Sequence, residues 1–155
     1  MIVGSVSENK NLEKRISITP EVAKKYINLG FEVQLSENYG KHLGFEEKEY
    51  CELGVKFIND DKKLIENADI IIQISLLDED KSSHLKPNQT FVGVLNPYEN
   101  KNKLEELVKK KVNLFSLELL PRITRAQSMD ILSSQANLAG YKAVVESFSI
   151  FEKAI

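Results

Sequence analysis

Residues Ala68–Ser75 read ADIIIQIS, a run in which apolar side chains follow one another almost without interruption. A strand with one face in water alternates apolar and polar residues, whereas a nearly continuous apolar run is typical of a strand buried on both faces. Comparable short runs recur along the chain at Met1–Ser5, Phe31–Leu35, Val55–Ile58, Thr90–Leu95 and Val112–Leu117. These runs predict the strands of a sheet that is covered on both sides.

Helical patterns lie between the predicted strands. Thr19-Pro20-Glu21 is typical of a helix start, because threonine caps the first turn, proline fits there and an acid favours the positive end. Gly30 predicts where this helix ends. Further helices are expected at Glu46–Leu53, Asp60–Asn67, Asp78–Leu85 and Lys101–Lys110. Strands that alternate with helices predict an α/β fold, an open doubly wound parallel sheet with helices on both faces, in a Rossmann-like arrangement.

Composition limits the class of protein. The chain has 155 residues, 42% hydrophobic and 28% charged, which predicts a single globular domain spanning 1–155. A net charge of −2 without a basic block argues against nucleic-acid binding. Cys51 is the only cysteine, and His42 and His84 lie far apart, so neither a disulfide nor a metal site is expected. The absence of a signal-like start and of a long apolar run predicts a cytoplasmic chain without direct membrane insertion.

The predicted topology also indicates where a ligand would bind. In doubly wound sheets, ligands lie beyond the carboxyl ends of the strands. The corresponding loops follow Ser5, Ser75, Leu95 and Leu117. No GxGxxG motif occurs, and Gly40 and Gly44 lack the required strand–turn–helix setting. The chain therefore lacks the usual turn that cradles a dinucleotide pyrophosphate.

Glu118–Lys142, ELLPRITRAQSMDILSSQANLAGYK, differs from the rest of the chain. A helix beginning near residues 126–128 would carry two faces, by a spacing of three or four residues. The polar face would comprise Gln127, Asp130, Ser133, Ser134, Asn137 and Tyr141. The apolar face, expected to bury against a sheet, would comprise Met129, Leu132, Ala136, Ala139 and Ala143. Hydroxyl, amide and carboxylate groups beside Arg122 and Arg125 suit a ligand with hydroxyls and phosphates, while helix capping with close packing is the alternative.

Two segments of the chain resemble a known family. The sequence PRITRAQSMDILSSQANLAGYKAV, residues 121–144, resembles the NAD(H)-binding component of the NAD(P) transhydrogenase alpha subunit. The opening MIVGSVSENKNLEKRISITPEVAKKYINLGFEV resembles both this family and alanine dehydrogenase, which share an N-terminal domain. The resemblance covers essentially all 155 residues. It implies a proton-translocating, Re/Si-specific transhydrogenase in which hydride passes directly from NADH to NADP+ on a partner component.

The resemblance also implies partners and a location. An NAD-binding Rossmann domain of the same subunit is expected to follow, and it is absent from this chain. NADP(H)-binding and membrane components would complete the enzyme, the subunit is expected to form a homodimer, and the isolated chain is expected to be inactive. The location implied is cytoplasmic, at the inner membrane through the partner subunits.

The resemblance implies roles in cofactor binding for four residues. Arg122 would pair with pyrophosphate or carboxamide oxygens of NAD(H), and Asp130 and Ser133 would hold the carboxamide. Gln127 would contact the cofactor and align the two nucleotides, which makes it the candidate catalytic residue. The structural alternatives are a carbonyl-capping Arg122, an acid early in the helix at Asp130 and a small packing residue at Ser133.

Alanine dehydrogenase is the enzyme alternative, and a catalytically silent scaffold is the alternative without enzymatic activity. Arg15 stands where alanine dehydrogenases carry a pyruvate-binding arginine. Their lysine and their proton-transferring histidine correspond to Gln73 and Asn96 in this sequence. Neither amide can carry the charge or relay the proton that reduction of an oxo acid requires, so these two positions argue against amino-acid dehydrogenation.

Overall fold

The computed structural model describes residues 1–153. The chain divides into two compact units, Met1–Ser116 and the segment from Leu117 onward. The first unit holds the sheet, and the second holds the longest helix. Among residues 1–153, none of the helices combines the length and the apolar character needed to cross a membrane.

The first unit is built on a six-stranded parallel sheet. Its strands are β1 (Ile2–Ser5), β2 (Glu32–Ser36), β3 (Lys56–Ile58), β4 (Ile70–Ser75), β5 (Thr90–Val94) and β6 (Asn113–Ser116). The spatial order is β3-β2-β1-β4-β5-β6, and each neighbouring pair is parallel. β2 and β3 therefore lie on one side of β1, and β4, β5 and β6 lie on its other side. This order confirms the predicted doubly wound α/β fold.

Helices connect the strands of this unit. They are α1 (Pro20–Asn28), α2 (Glu47–Glu52), α3 (Asp61–Asn67), α4 (Glu79–Ser83) and α5 (Lys101–Lys109). The start of α1 is as expected, because the Thr19 side chain accepts a hydrogen bond from the Val22 backbone N–H and Pro20 is the first helical residue. Gly30 follows this helix with φ of 87°, a left-handed conformation that glycine adopts without strain.

Two apolar cores cover the two faces of the sheet. On one face, Ala23 of α1 and Tyr50 of α2 pack with strand residues that include Val33. On the other, Leu64 of α3 and Leu107 of α5 belong to a core that includes Ile71 and Phe91 of neighbouring strands. The continuous apolar runs in the strands supply side chains to both cores, which confirms helices on both faces of the sheet.

The second unit begins with two 3₁₀ turns, Leu117–Leu119 and Thr124–Met129, and continues into α6 (Ile131–Ile150). The expectation of a helix start near residues 126–128 was therefore wrong for the α-helix. The physical reason is a cap: the Asp130 side chain accepts hydrogen bonds from the backbone N–H groups of Leu132 and Ser133, at 3.0 Å each. Gln127 and Asp130 consequently precede the helix instead of lying on its surface.

Within the second unit, α6 has no buried apolar face. Every side chain from Leu132 to Ile150 is exposed in the structure. The apolar residues are spread almost evenly around the helix axis and include Leu138, Val144 and Phe148. Such a helix has no single apolar stripe that one sheet could cover.

A β-bulge interrupts the pairing of β4 with β5. Ile72 pairs with Val92 and Ser75 pairs with Val94, so β4 has one more residue than β5 between these two pairs. Gly93 of β5 lies opposite the bulge, and a Cβ atom added there would lie 2.7 Å from the backbone oxygen of Gln73. The bulge therefore requires glycine at this position.

We expect the substitution Gly93→Ala to lower the free energy of unfolding by about 1–3 kcal/mol, because a backbone oxygen must move to admit the methyl group. Urea unfolding followed by circular dichroism would measure this change. Gly140→Ala is the matched control, since a Cβ atom there meets nothing within 4 Å and the residue lies inside α6. It should raise stability by about 0.5–1 kcal/mol, and equal losses in both variants would contradict the role given to the bulge.

Candidate functional site

A cavity of about 430 Å³ opens at the carboxyl ends of β1, β4 and β5. We call it the carboxyl-edge cavity. It is lined by the loop after β1, by the end of β4 and by the loop after β5, including Ser7, Glu8, Gln73, Ser75, Asn96 and Asn100. Three of the four loops that the sequence indicated therefore meet at one site. The fourth, after Leu117, belongs to the second unit.

Gln73 is buried on the wall of this cavity, and its orientation is fixed. Its Oε1 accepts hydrogen bonds from Ser5 Oγ at 2.6 Å and from the Val6 backbone N–H at 2.9 Å. Because a backbone N–H can only donate, the side-chain oxygen must face Val6. The amide nitrogen then points to the Glu8 carboxylate, 3.3 Å away.

The Glu8 carboxylate lies against the bulge of β4. Its Oε1 accepts hydrogen bonds from the backbone N–H groups of Ile74 at 2.7 Å and Ser75 at 3.2 Å. Burial raises the pKa of Glu8 above its usual value, and these backbone hydrogen bonds oppose the rise. The carboxylate is thus held at a desolvated position by donors that surround a single oxygen.

Arg15, a cationic residue that also lines this cavity, is paired with an acid of its own loop. Its Nε lies 2.9 Å from Glu13 Oε1 and its Nη2 lies 2.6 Å from Glu13 Oε2, which is a two-pronged pairing. The hydrogen bond from Arg15 lowers the pKa of Glu13. Arg15, Gln73 and Asn96, the three positions compared with alanine dehydrogenase, all line the carboxyl-edge cavity.

The second unit brings two of the four predicted cofactor-binding residues, Asp130 and Ser133, into contact. The Asp130 carboxylate receives the Ser133 hydroxyl at 2.6 Å on Oδ2, while its Oδ1 caps α6. The hydrogen bond from Ser133 is the largest cause that lowers the pKa of Asp130, and the positive charge of Arg122 adds to it. Asp130 and Ser133 therefore form a hydrogen-bonded cluster in which both carboxylate oxygens are bonded, and the exposed Arg122 acts on it through its charge.

Gln127 lies on the 3₁₀ turn that precedes this cluster, and its side chain is exposed. Its backbone oxygen accepts a hydrogen bond from the Asp130 backbone N–H at 3.4 Å. Gln127 is therefore linked to the cluster through the main chain. The structural alternative for Asp130 also applies, because this residue is the N-cap of α6.

Sequence reasoning did not identify Glu8 and Glu13 as residues of a site. The contacts of Glu8 depend on the bulge in β4, which the apolar run of that strand does not reveal, whereas Glu13 pairs with Arg15 of its own loop. One signal was present: a glycine inside a strand, here Gly93, often marks a bulge or a close approach of two backbones.

Comparison with known proteins places the chain in a family. The family model described as "Alanine dehydrogenase/PNT, N-terminal domain" matches residues 4–139. The chain is 39% identical over 158 residues to an NAD(P) transhydrogenase alpha subunit of Rickettsia prowazekii, a match that covers 99% of this chain and 41% of that relative. Its identity to alanine dehydrogenase 1 of Staphylococcus aureus is 26% over 145 residues, covering 94% of this chain and 38% of that relative.

A solved structure shows the same fold. The transhydrogenase from Sinorhizobium meliloti superposes with a TM-score of 0.91 at 32% identity, covering 99% of this chain and 46% of that chain. This chain thus spans less than half the length of the relatives that it matches. It belongs to the family of alanine dehydrogenase/PNT N-terminal domains, and within that family it is more similar to the transhydrogenase alpha subunit than to the alanine dehydrogenase.

Proposed function

We propose that this chain is the N-terminal domain of a proton-translocating, Re/Si-specific NAD(P)+ transhydrogenase alpha subunit. In that role it helps to bind NAD(H) and to orient it for direct hydride transfer to NADP+. The observation that supports this proposal is the cluster of Asp130 and Ser133, which is held by their hydrogen bond, together with the positive charge of Arg122 that acts on Asp130. Its residues match, one by one, those that the transhydrogenase resemblance assigns to the nicotinamide end of the NAD(H) site.

Direct hydride transfer needs orientation more than acid or base catalysis. The NADH cofactor supplies the hydride when it is bound. Ser133 donates its hydroxyl hydrogen to Asp130, so its oxygen is left to accept a hydrogen bond from a carboxamide N–H. Arg122 would donate charge-assisted hydrogen bonds to pyrophosphate or carboxamide oxygens. Gln127, exposed on the turn before the cluster, would align the two nucleotides.

The remaining components of the enzyme belong to the same proposal. The subunit would continue into an NAD-binding Rossmann domain, which agrees with a chain that spans 41% of its transhydrogenase relative. NADP(H) would bind to a partner component, and membrane components would carry the protons. We further propose a homodimer, attached at the cytoplasmic side of the inner membrane through these partners.

The carboxyl-edge cavity argues against the alanine dehydrogenase alternative. A 2-oxo acid needs a cationic partner for its carboxylate and a proton donor for its carbonyl. In this cavity Arg15 is paired with Glu13, and the other two positions are the amides Gln73 and Asn96. Of the three charged or proton-transferring groups that an oxo-acid reductase would use here, two are replaced by amides and the third, Arg15, is already paired with Glu13.

Calorimetric titration with NADH tests the proposal. We expect the chain alone to bind NADH weakly or not at all, because it lacks a glycine-rich dinucleotide turn. Joined to the NAD-binding domain of a transhydrogenase alpha subunit, it should bind NADH and, with the NADP(H)-binding component added, transfer hydride. Micromolar NADH binding by the chain alone would contradict the proposal that NADH binding requires the NAD-binding domain. Oxidation of NADH by the joined protein that depends on pyruvate and ammonium would favour the alanine dehydrogenase alternative.

A further inference from the structure

We propose that Glu8 is a built-in ligand, whose carboxylate fills an anion site at the bulge of β4 and makes the carboxyl-edge cavity reject free carboxylates. Glu8 thereby determines which ligands this cavity can take. Its role lies in the first unit and is independent of the hydride transfer proposed above.

The donors around Glu8 form the anion site. The bulge presents two successive backbone N–H groups, those of Ile74 and Ser75, to the same carboxylate oxygen. Successive N–H groups that point to one place are a common anion-binding arrangement in proteins. Gln73 adds a side-chain N–H, and the hydrogen bonds from Ser5 and Val6 fix its direction. Together these donors suit any small carboxylate that can reach them.

The Glu8 carboxylate accepts hydrogen bonds from these donors because the chain holds it next to them. It is the third residue after the end of β1, the strand that pairs with β4. A group held by a short segment of chain acts at an effective concentration on the order of millimolar or higher. A free carboxylate at a lower concentration cannot displace it, since both would use the same N–H groups.

The cationic side chains that line the cavity form ion pairs with acidic residues of the same chain. Among the described residues, the Arg and Lys side chains that line the cavity are Arg15, Lys81 and Lys103. Arg15 is paired with Glu13, Lys81 Nζ lies 2.9 Å from Asp61, and Lys103 Nζ lies 3.9 Å from Glu79. The carboxylates that line the cavity are those of Glu8, Glu13 and Asp78, and the other polar lining groups are neutral, such as the amides of Asn96 and Asn100. The cavity therefore favours uncharged polar ligands over anions.

Removal of the Glu8 carboxylate should convert the site into one for an external carboxylate. We expect Glu8→Ala to unfold at a lower temperature than the unmodified protein, and sodium acetate, unlike sodium chloride of equal ionic strength, to reverse this loss. The acetate affinity of the variant should exceed that of the unmodified protein by at least about tenfold. Differential scanning calorimetry across an acetate series would measure both effects.

Two control variants separate occupancy from a general effect of charge. Glu8→Gln keeps a side-chain carbonyl oxygen that can accept from Ile74 and Ser75, so acetate should not stabilise it beyond chloride. Glu21→Ala removes an exposed carboxylate paired only on the surface with Lys25, and it should show no response to acetate. Acetate stabilisation of all three variants alike would overturn the proposal.

The unmodified protein gives a second test that does not depend on the folding of Glu8→Ala. In ¹⁵N NMR spectra, the amide signals of Ile74 and Ser75 should change with the titration of a carboxyl group. At neutral pH these signals should not respond to acetate at constant ionic strength. Saturable shifts of these two signals on addition of acetate would show that the site is open and would overturn the proposal.

Discussion

Replacement of Gln127 by alanine is expected to lower the hydride-transfer rate of the complete transhydrogenase by about a hundredfold while leaving its NADH affinity unchanged. The side chain is exposed on the 3₁₀ turn that leads into Asp130, so its removal leaves the Asp130 cap of α6 in place. Its proposed task is alignment, and a small misplacement of the reacting atoms is enough to cause such a loss. Stopped-flow measurement of hydride transfer, with a parallel NADH titration, would separate the rate from the affinity.

Gln135→Ala is the matched control for this experiment. Gln135 is the same residue type, is exposed and lies on α6, outside the proposed cofactor contacts. It should transfer hydride at the unmodified rate. If Gln127→Ala also keeps that rate, the alignment role is wrong, and the polar residues of this segment serve the capping of α6.

The fold could be predicted from the sequence because its determinants are local. The run ADIIIQIS predicted a strand buried on both faces, and β4 lies between β1 and β5 with cores on both sides. Thr19 and Pro20 predicted the start of α1 for the same reason, since capping involves only residues of the first turn. The alternation of strands and helices predicted the parallel sheet but not its strand order, which the structure gives as β3-β2-β1-β4-β5-β6.

The candidate site was less accessible to prediction because its determinants are not local. The hydrogen bonds of Glu8 require the bulge between β4 and β5, and that register shift depends on two strands at once. Residues Thr124–Met129 show the same limitation on a smaller scale. Polar residues spaced by three suit both a 3₁₀ turn and the first turn of an α-helix, and the cap at Asp130 decides between them.

For α6, the sequence predicted the helix itself but not its burial. The sequence pattern correctly indicated a long helix in this region, which runs from Ile131 to Ile150. It did not predict which element would cover this helix, because a pattern of apolar residues reports which surface can be covered and carries no information on what covers it.

Arg122→Ala should weaken NADH binding by the complete enzyme by about ten- to a hundredfold. Hydrogen bonds to a charged group contribute about 1.5–3 kcal/mol net, and about 1.4 kcal/mol corresponds to a tenfold change in affinity. The positive charge of Arg122 acts on Asp130, which accepts the hydroxyl of Ser133, so the guanidinium belongs to the segment proposed to contact the cofactor. Isothermal titration with NADH would measure the loss, and hydride transfer at saturating NADH should be affected much less.

Arg125→Ala is the control that distinguishes a specific contact from general attraction of a negatively charged cofactor. Arg125 is exposed in the 3₁₀ turn three residues further on, so its removal changes the net charge of this segment by the same amount. Its NADH affinity should stay within about threefold of the unmodified value, as expected for a screened surface charge. Arg122→Lys should fall between the two, because lysine keeps the charge and loses the planar fork of donors. Equal losses in Arg122→Ala and Arg125→Ala would mean that this segment attracts NADH only through its net charge, and the assignment of Arg122 to pyrophosphate or carboxamide oxygens would then be wrong.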